Sequence, residues 1–121
     1  MRLVGHKERQ FANIVWERAP ISSPDLVDIC GKELNWKKST TYTVLKKLCE
    51  KGLFRNVDAT VTCVISRDEY MAQQSRDYID EEFGGSFPDF VAAFASDKSL
   101  KKEDLEKLKA IIDSFEGDEN D

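Results

Sequence analysis

A single change of hydrophobic period, at Lys51-Gly52-Leu53, governs the folds open to this chain. Before it, apolar residues recur at helical spacing; after it, two β-branched runs follow one another, Leu53–Val57 and Thr60–Ser66. The expected first helix, His6–Arg18, pairs Phe11 with Val15 and Ala12 with Trp16 at i,i+4 on one face. Pro20 stops it, because the proline ring fixes φ and removes a donor. Ser22 or Ser23 then offers an N-cap, Pro24 suits the first helical position, and Asp25 suits the positive end of the dipole. The second helix carries the stripe Leu26, Ile29, Cys30, Leu34, with Gly31 costing it about 1 kcal/mol relative to alanine.

Asn35-Trp36-Lys37-Lys38 connects to a third helix, with Ser39 or a neighbour expected as its cap. Thr41, Val44, Leu45, Leu48 and Cys49 fall on one side of it, and Thr40, Tyr42, Thr43, Lys46 and Lys47 on the other. Gly52 ends the helix, since glycine takes the left-handed C′ conformation without a Cβ penalty. Asp58-Ala59 separates the two strand runs. It is not a favoured type I′ pair, so a longer or bulged turn is expected.

The second half returns to helical period. Asp68–Phe83 carries Met71, Tyr78, Ile79 and Phe83 and ends at Gly84-Gly85. Phe87–Ala95 is dense in aromatics, with Phe87, Phe90, Val91 and Phe94. Ser99 opens a last helix in which Leu105, Leu108, Ile111, Ile112 and Phe115 recur; Gly117 ends it, and residues 118–121 read as a frayed acidic tail.

Charge divides along the same line. Residues 1–67 hold 12 Lys/Arg against 7 Asp/Glu (+5), and residues 68–121 hold 6 against 16 (−10), giving the net −5 of the whole chain. The basic half can approach a polyanion that the acidic half would repel. At 121 residues, 40% hydrophobic and 34% charged, the chain suits one domain or one with an appended subdomain. No apolar run approaches the roughly 20 residues of a membrane span, and no signal-peptide core is expected, so membrane partnership is excluded. Three cysteines at unrelated spacings favour free thiols in a reducing, cytoplasmic setting over a disulfide framework. One histidine and no Cys-x-x-Cys pair leave no basis for a zinc site, and no cofactor is expected.

Catalytic motifs are absent. Glu81 and Glu82 are adjacent and point apart on a helix, no phosphate loop or nucleophile elbow occurs, and His6 has no partner in the sequence. An enzyme is not expected. The cysteines Cys30, Cys49 and Cys63 read as small packed hydrophobes, with a redox switch as the alternative.

Three helices and a hairpin, with a basic, hydroxyl-rich face on the third, fit a winged helix-turn-helix, in which that helix enters the major groove. The fold class is therefore mainly α with a small β-hairpin: a DNA-binding domain at 1–67 and a helical dimerisation region at 68–121. The candidate DNA contacts are Lys37, Lys38, Ser39, Thr40, Tyr42, Thr43, Lys46, Lys47 and, from the wing, Arg55. The apolar residues Met71, Tyr78, Phe83, Phe87, Phe90, Phe94, Leu105, Leu108, Ile112 and Phe115 exceed what a short helical tail buries against itself. They form the expected face of a symmetric homodimer. The rival expectation is that they fold back over Trp16 and Leu26.

Residues 5 to about 67, and more weakly the rest, resemble the penicillinase-repressor family (BlaI/MecI type). The resemblance rests on Glu8-x-x-Phe11-Ala12-x-x-x-Trp16, the run Thr40–Leu48, the Lys51-Gly52-Leu53 junction and the aromatic-then-acidic tail. It implies a homodimeric transcriptional repressor on a palindromic DNA operator, with Thr40, Thr43 and Lys47 matching recognition-helix positions. It further implies relief by an inactivating protease that cuts an Asn-Phe bond, where this chain has Ala93-Phe94; an inducer of another class is the alternative. The wing tip also departs from the family, carrying Asp58-Ala59-Thr60 in place of glycine and arginine, and no Cys-x-Cys follows Cys63. An alternative function, favoured by that acidic tip, is a winged protein–protein interaction module without its own operator.

Overall fold

The computed structural model describes residues 3, 5–97 and 100–116. The expected start at Ser99, the stop at Gly117 and the acidic tail lie outside them. The element order is α1 (Gly5–Arg18), β1 (Ile21–Ser22), α2 (Ser23–Leu34), α3 (Lys38–Glu50), β2 (Phe54–Val57), β3 (Thr60–Cys63), α4 (Arg67–Phe83), α5 (Phe87–Asp97) and α6 (Lys102–Glu116). The architecture is mainly helical with a small antiparallel sheet, a winged helix-turn-helix followed by C-terminal helices. The chain divides into two units at the Ser75–Arg76 junction, inside α4.

The first unit is built around the stripes that the helical period marks. Phe11, Ala12, Ile14 and Val15 of α1, Leu26 and Cys30 of α2, and Leu45 and Leu48 of α3 are buried together, with Leu53, Phe54 and Val61 closing the core from the wing side. Phe11 stacks on Trp36 at 5.8 Å and meets Phe54 edge-on at 6.5 Å. Trp16 contacts both Phe54 (5.7 Å) and Tyr70 (5.4 Å) and donates its indole N–H to the Ile65 carbonyl at 3.1 Å. The hydroxyl of Tyr70 accepts the Leu3 N–H at 3.0 Å, so the first turn of α4 belongs to this core.

Helix ends follow local chemistry. Ser22 caps α2, accepting the Asp25 N–H at 3.1 Å, with Pro24 in the first turn. The other end of α2 closes on left-handed Asn35 (φ 57°), beyond which the Trp36 N–H reaches the Cys30 carbonyl at 3.2 Å. Ser66 and Glu69 cap α4 reciprocally: Ser66 N–H to Glu69 Oε1 at 2.9 Å, and Glu69 N–H to Ser66 Oγ at 3.0 Å. Hydrogen bonds from the Ser66 backbone and side chain hold the Glu69 carboxyl below its ordinary pKa.

The structure departs from the sequence expectations in four places. The wing is part of a three-stranded sheet, order β1-β3-β2, because Ile21 and Ser22 pair with Val61 and Thr60 on the free edge of β3. The β2–β3 connection is a tight two-residue turn, with Val57 opposite Thr60; Asp58 (φ 51°) and Ala59 (φ 61°) both take left-handed backbone. Both carry a Cβ that this left-handed geometry disfavours, and pairing of β3 with both of its neighbours holds the turn in it. The third helix has Lys37 at its N-cap position with no side-chain bond, and Ser39 lies exposed inside the first turn. The Lys37 carbonyl takes the Thr41 N–H at 3.1 Å as the first bond of the helix and accepts from the Thr41 hydroxyl at 3.4 Å. Finally, Cys63 ends β3 exposed, whereas Cys30 is buried and Cys49 half-buried.

In the second unit, α5 follows the Gly84-Gly85 turn and is capped by Ser86, whose Oγ accepts the Asp89 N–H at 3.1 Å. Tyr78, Phe83, Phe87 and Phe90 form an aromatic cluster with centroids 5.6–6.2 Å apart. No described residue after Tyr70 is fully buried.

Candidate nucleic-acid interface

The third helix turns two chemically distinct sides outward and inward. Thr41, Leu45 and Leu48 are buried against α1 and α2, and this fixes the helix in rotation. The opposite line, Ser39, Thr43 and Lys46, is exposed at i, i+4, i+7. Thr40 is half-buried beside that line, while Lys37 and Lys38 are exposed at its N-terminal end. The stripe therefore offers two hydroxyls for base edges or phosphates and a cluster of ammonium groups for phosphates.

Two expected contacts are already engaged inside the protein. The Tyr42 hydroxyl donates to Ser23 Oγ at 3.3 Å, and its ring is half-buried against the core. Lys47 places its ammonium 2.9 Å from Glu8 Oε2, and Lys51 places its own 2.9 Å from Glu8 Oε1. Glu8 is a carboxylate only 8% exposed, sandwiched between the start of α1 and the end of α3. Sequence reasoning singled out Glu8 in a family pattern but did not pair it with these lysines. The missing signal is spatial, since 39 and 43 residues separate the partners.

Arg55 is exposed on β2, opposite Thr62 across the ladder, and Asp58 is exposed at the turn. The wing thus carries one cation on its strand and one anion at its tip. Between α3 and β2 lies an open groove of about 400 Å³, lined by Tyr42, Leu45, Lys46, Cys49 and Asn56. Partial burial raises the Cys49 thiol pKa above its ordinary value, against a smaller lowering by the Asn56 backbone.

Of the expected dimer residues, Met71 lies in the first unit, and eight of the nine on the second fall into two groups. Tyr78, Phe83, Phe87 and Phe90 touch one another, whereas Leu105, Leu108, Ile112 and Phe115 line one side of α6 at i, i+3, i+7, i+10. Phe94 is 51% exposed, Met71 55% and Phe115 64%. Among the described residues no cluster of His, Cys, Asp or Glu could hold a metal, and no helix is long and apolar enough to cross a membrane.

The family model for the penicillinase repressor matches residues 4–114, nearly the whole chain. The protein belongs to the penicillinase repressor family. It is 21% identical over 113 residues to the methicillin resistance regulatory protein MecI of Staphylococcus aureus, an alignment covering 90% of this chain and 92% of that one. An uncharacterized 16.5 kDa protein in the ptsI 3′ region of Latilactobacillus sakei is 22% identical over 109 residues, covering 87% and 75%. Membership places the chain in a family of regulatory repressors.

Proposed function

We propose that this penicillinase repressor family protein is a cytoplasmic transcriptional repressor that binds a palindromic operator as a homodimer. Residues 1–67 act as the DNA-binding domain and residues 68–121 as the dimerisation region. The observation that carries the reading is the α3 stripe: Ser39, Thr43 and Lys46 are exposed on a helix rotationally fixed by buried Thr41, Leu45 and Leu48. A helix presented in this way suits the major groove, which is wide enough to admit it. Lys37, Lys38 and Arg55 supply phosphate contacts around it, and Thr40 lies beside the base-reading line.

Dimerisation rests on a second observation. The α4–α6 helices expose Met71, Phe94, Leu105, Ile112 and Phe115 in a chain whose second unit buries no described residue completely. A second copy covering them would remove this apolar surface from water. Two winged domains so joined would address half-sites about one helical turn apart, roughly 34–36 Å.

Fluorescence-anisotropy titration of the full chain against its own upstream region and a scrambled duplex, at several salt concentrations, tests the reading. Tighter binding of the native fragment, weakening steeply as salt rises, is expected. Equal binding of both duplexes at every salt would count against operator recognition. Retention of one stoichiometric protein partner with no DNA binding at low salt would instead support a protein-interaction module, the reading that exposed Asp58 at the wing tip favours.

A further inference from the structure

We propose that Glu8 is a positioning residue: an internal counter-anion that withholds Lys47 from the DNA backbone and fixes the end of the reader helix. The inference rests on α3 being the DNA-reading helix. Lys47 is 56% exposed and sits beside the outward stripe of α3, where a free ammonium would reach phosphate. Its ammonium instead lies 2.9 Å from Glu8 Oε2, while Lys51 occupies Oε1 of the same carboxylate at 2.9 Å.

The asymmetry of burial decides which partner wins. Glu8 is 8% exposed, so losing one of its cations would leave a poorly hydrated carboxylate short of compensation. A phosphate competing for Lys47 must offset that loss, which it need not do for Lys46, exposed at the preceding position. Glu8 therefore subtracts one phosphate contact from the interface. Phosphate contacts add affinity for any sequence, so subtracting one lowers binding to native and scrambled duplexes alike and leaves discrimination to Ser39, Thr43 and Lys46. The same bonds join α1 to the last turn of α3 and hold the angle at which the stripe is presented.

The test is the salt dependence of DNA binding by the full-length wild type and by Lys46→Ala, Lys47→Ala, Glu8→Gln and the Glu8→Gln/Lys47→Ala double variant. Each is titrated against native and scrambled duplexes. Each phosphate contact contributes about 0.9 to the slope of log K against log salt. Lys46→Ala should flatten the slope by about that amount, and Lys47→Ala should leave it unchanged. Glu8→Gln keeps the side-chain shape but frees Lys47, so the slope should steepen by about 0.9 and the scrambled duplex should bind more tightly at low salt. Loss of folding cannot mimic that gain, and the gain should vanish in the double variant.

A flattened slope in Lys47→Ala would overturn the proposal, as would an unchanged slope in folded Glu8→Gln. Should Glu8→Gln not fold, the Lys47→Ala slope decides alone. Wild type that binds no duplex at low salt would remove the DNA reading itself and this inference with it. Binding that fails only in the Glu8 and Lys47 comparison removes the inference alone.

Discussion

The carbonyl of Ala59, at the tip of the wing, accepts the backbone N–H of Ser23 at the start of α2 across 2.8 Å. The bond continues the β1–β3 pairing by one residue and ties the wing to the helix-turn-helix at the point where Tyr42 also meets Ser23. It holds Ala59 at φ 61°, a left-handed conformation in which its Cβ crowds the following carbonyl. Glycine has no such penalty. Ala59→Gly should therefore raise stability by about 1 kcal/mol, even after the greater entropy of glycine in the unfolded chain is counted. Urea denaturation should show a higher midpoint with an unchanged slope; a lower midpoint would mean that the turn is not strained.

A second tie joins α1 to the segment entering α4. Trp16 donates to the Ile65 carbonyl at 3.1 Å, and its ring lies between Phe54 and Tyr70. Trp16→Phe keeps an aromatic ring but leaves that carbonyl without its indole donor, at a cost of about 1–3 kcal/mol. Tyr70→Phe leaves the Leu3 N–H without its acceptor but keeps the ring's volume, which Trp16→Phe does not, and should cost less. Thermal unfolding of the two variants should rank Trp16→Phe as the more damaging. The reverse order would place more weight on the N-terminal tie than the geometry gives it.

These ties mark the boundary of what the sequence conveys. The helical stripes of α1–α3 were legible because burial on one side imposes a 3.6-residue period, and the strands because their β-branched runs break it. Strand β1 was not legible: two residues, Ile21-Ser22, are too few to show alternation, and they pair only because the edge of β3 arrives beside them. The reader face was legible in outline, since Thr43 and Lys46 are exposed opposite the buried residues. Engagement of Tyr42 by Ser23 and of Lys47 by Glu8 depends on helix crossing, which no local pattern encodes. The Asp58-Ala59 turn shows the same limit, for the three-stranded ladder imposes a geometry that residue preference alone disfavours.

The three thiols should respond to reagent in the order of their exposure. Burial raises the pKa of all three above the ordinary 9.0, with Glu33 adding to the rise at Cys30 and Thr41 opposing it. Thiolate is the reactive form, so labelling by a disulfide reagent at neutral pH should be slow, fastest at exposed Cys63 and slowest at buried Cys30. The raised pKa at Cys30 also sets a sign for stability. Above pH 9 the unfolded chain releases this proton before the folded one does, so stability falls as pH rises from 9 through the higher folded value. Below pH 9 the group contributes no slope. Comparing denaturation of wild type and Cys30→Ala across pH 8–11 isolates this effect, and the stability advantage of wild type should shrink above pH 9. A constant difference would mean that the thiol is as hydrated when folded as when unfolded.

On α6, Leu105, Leu108, Ile112 and Phe115 form a seam with the spacing by which two helices interdigitate. Ile112 is 48% exposed and Phe115 64% exposed in one copy of the chain. Ile112→Asp would place a charge on that seam, and a dimer would have to bury it without a partner. Sedimentation should show wild type as a dimer at micromolar concentration and Ile112→Asp as a monomer. The substitution lies far along the sequence from the α3 stripe, so binding to a single half-site should persist. Affinity for a duplex with two half-sites should fall by a factor of about 10²–10⁴, the advantage that linking two modules provides. A variant that remains dimeric would move the interface to the aromatic cluster of α4 and α5. Wild type that sediments as a monomer would remove the two-half-site operator altogether, because one winged unit reads one half-site.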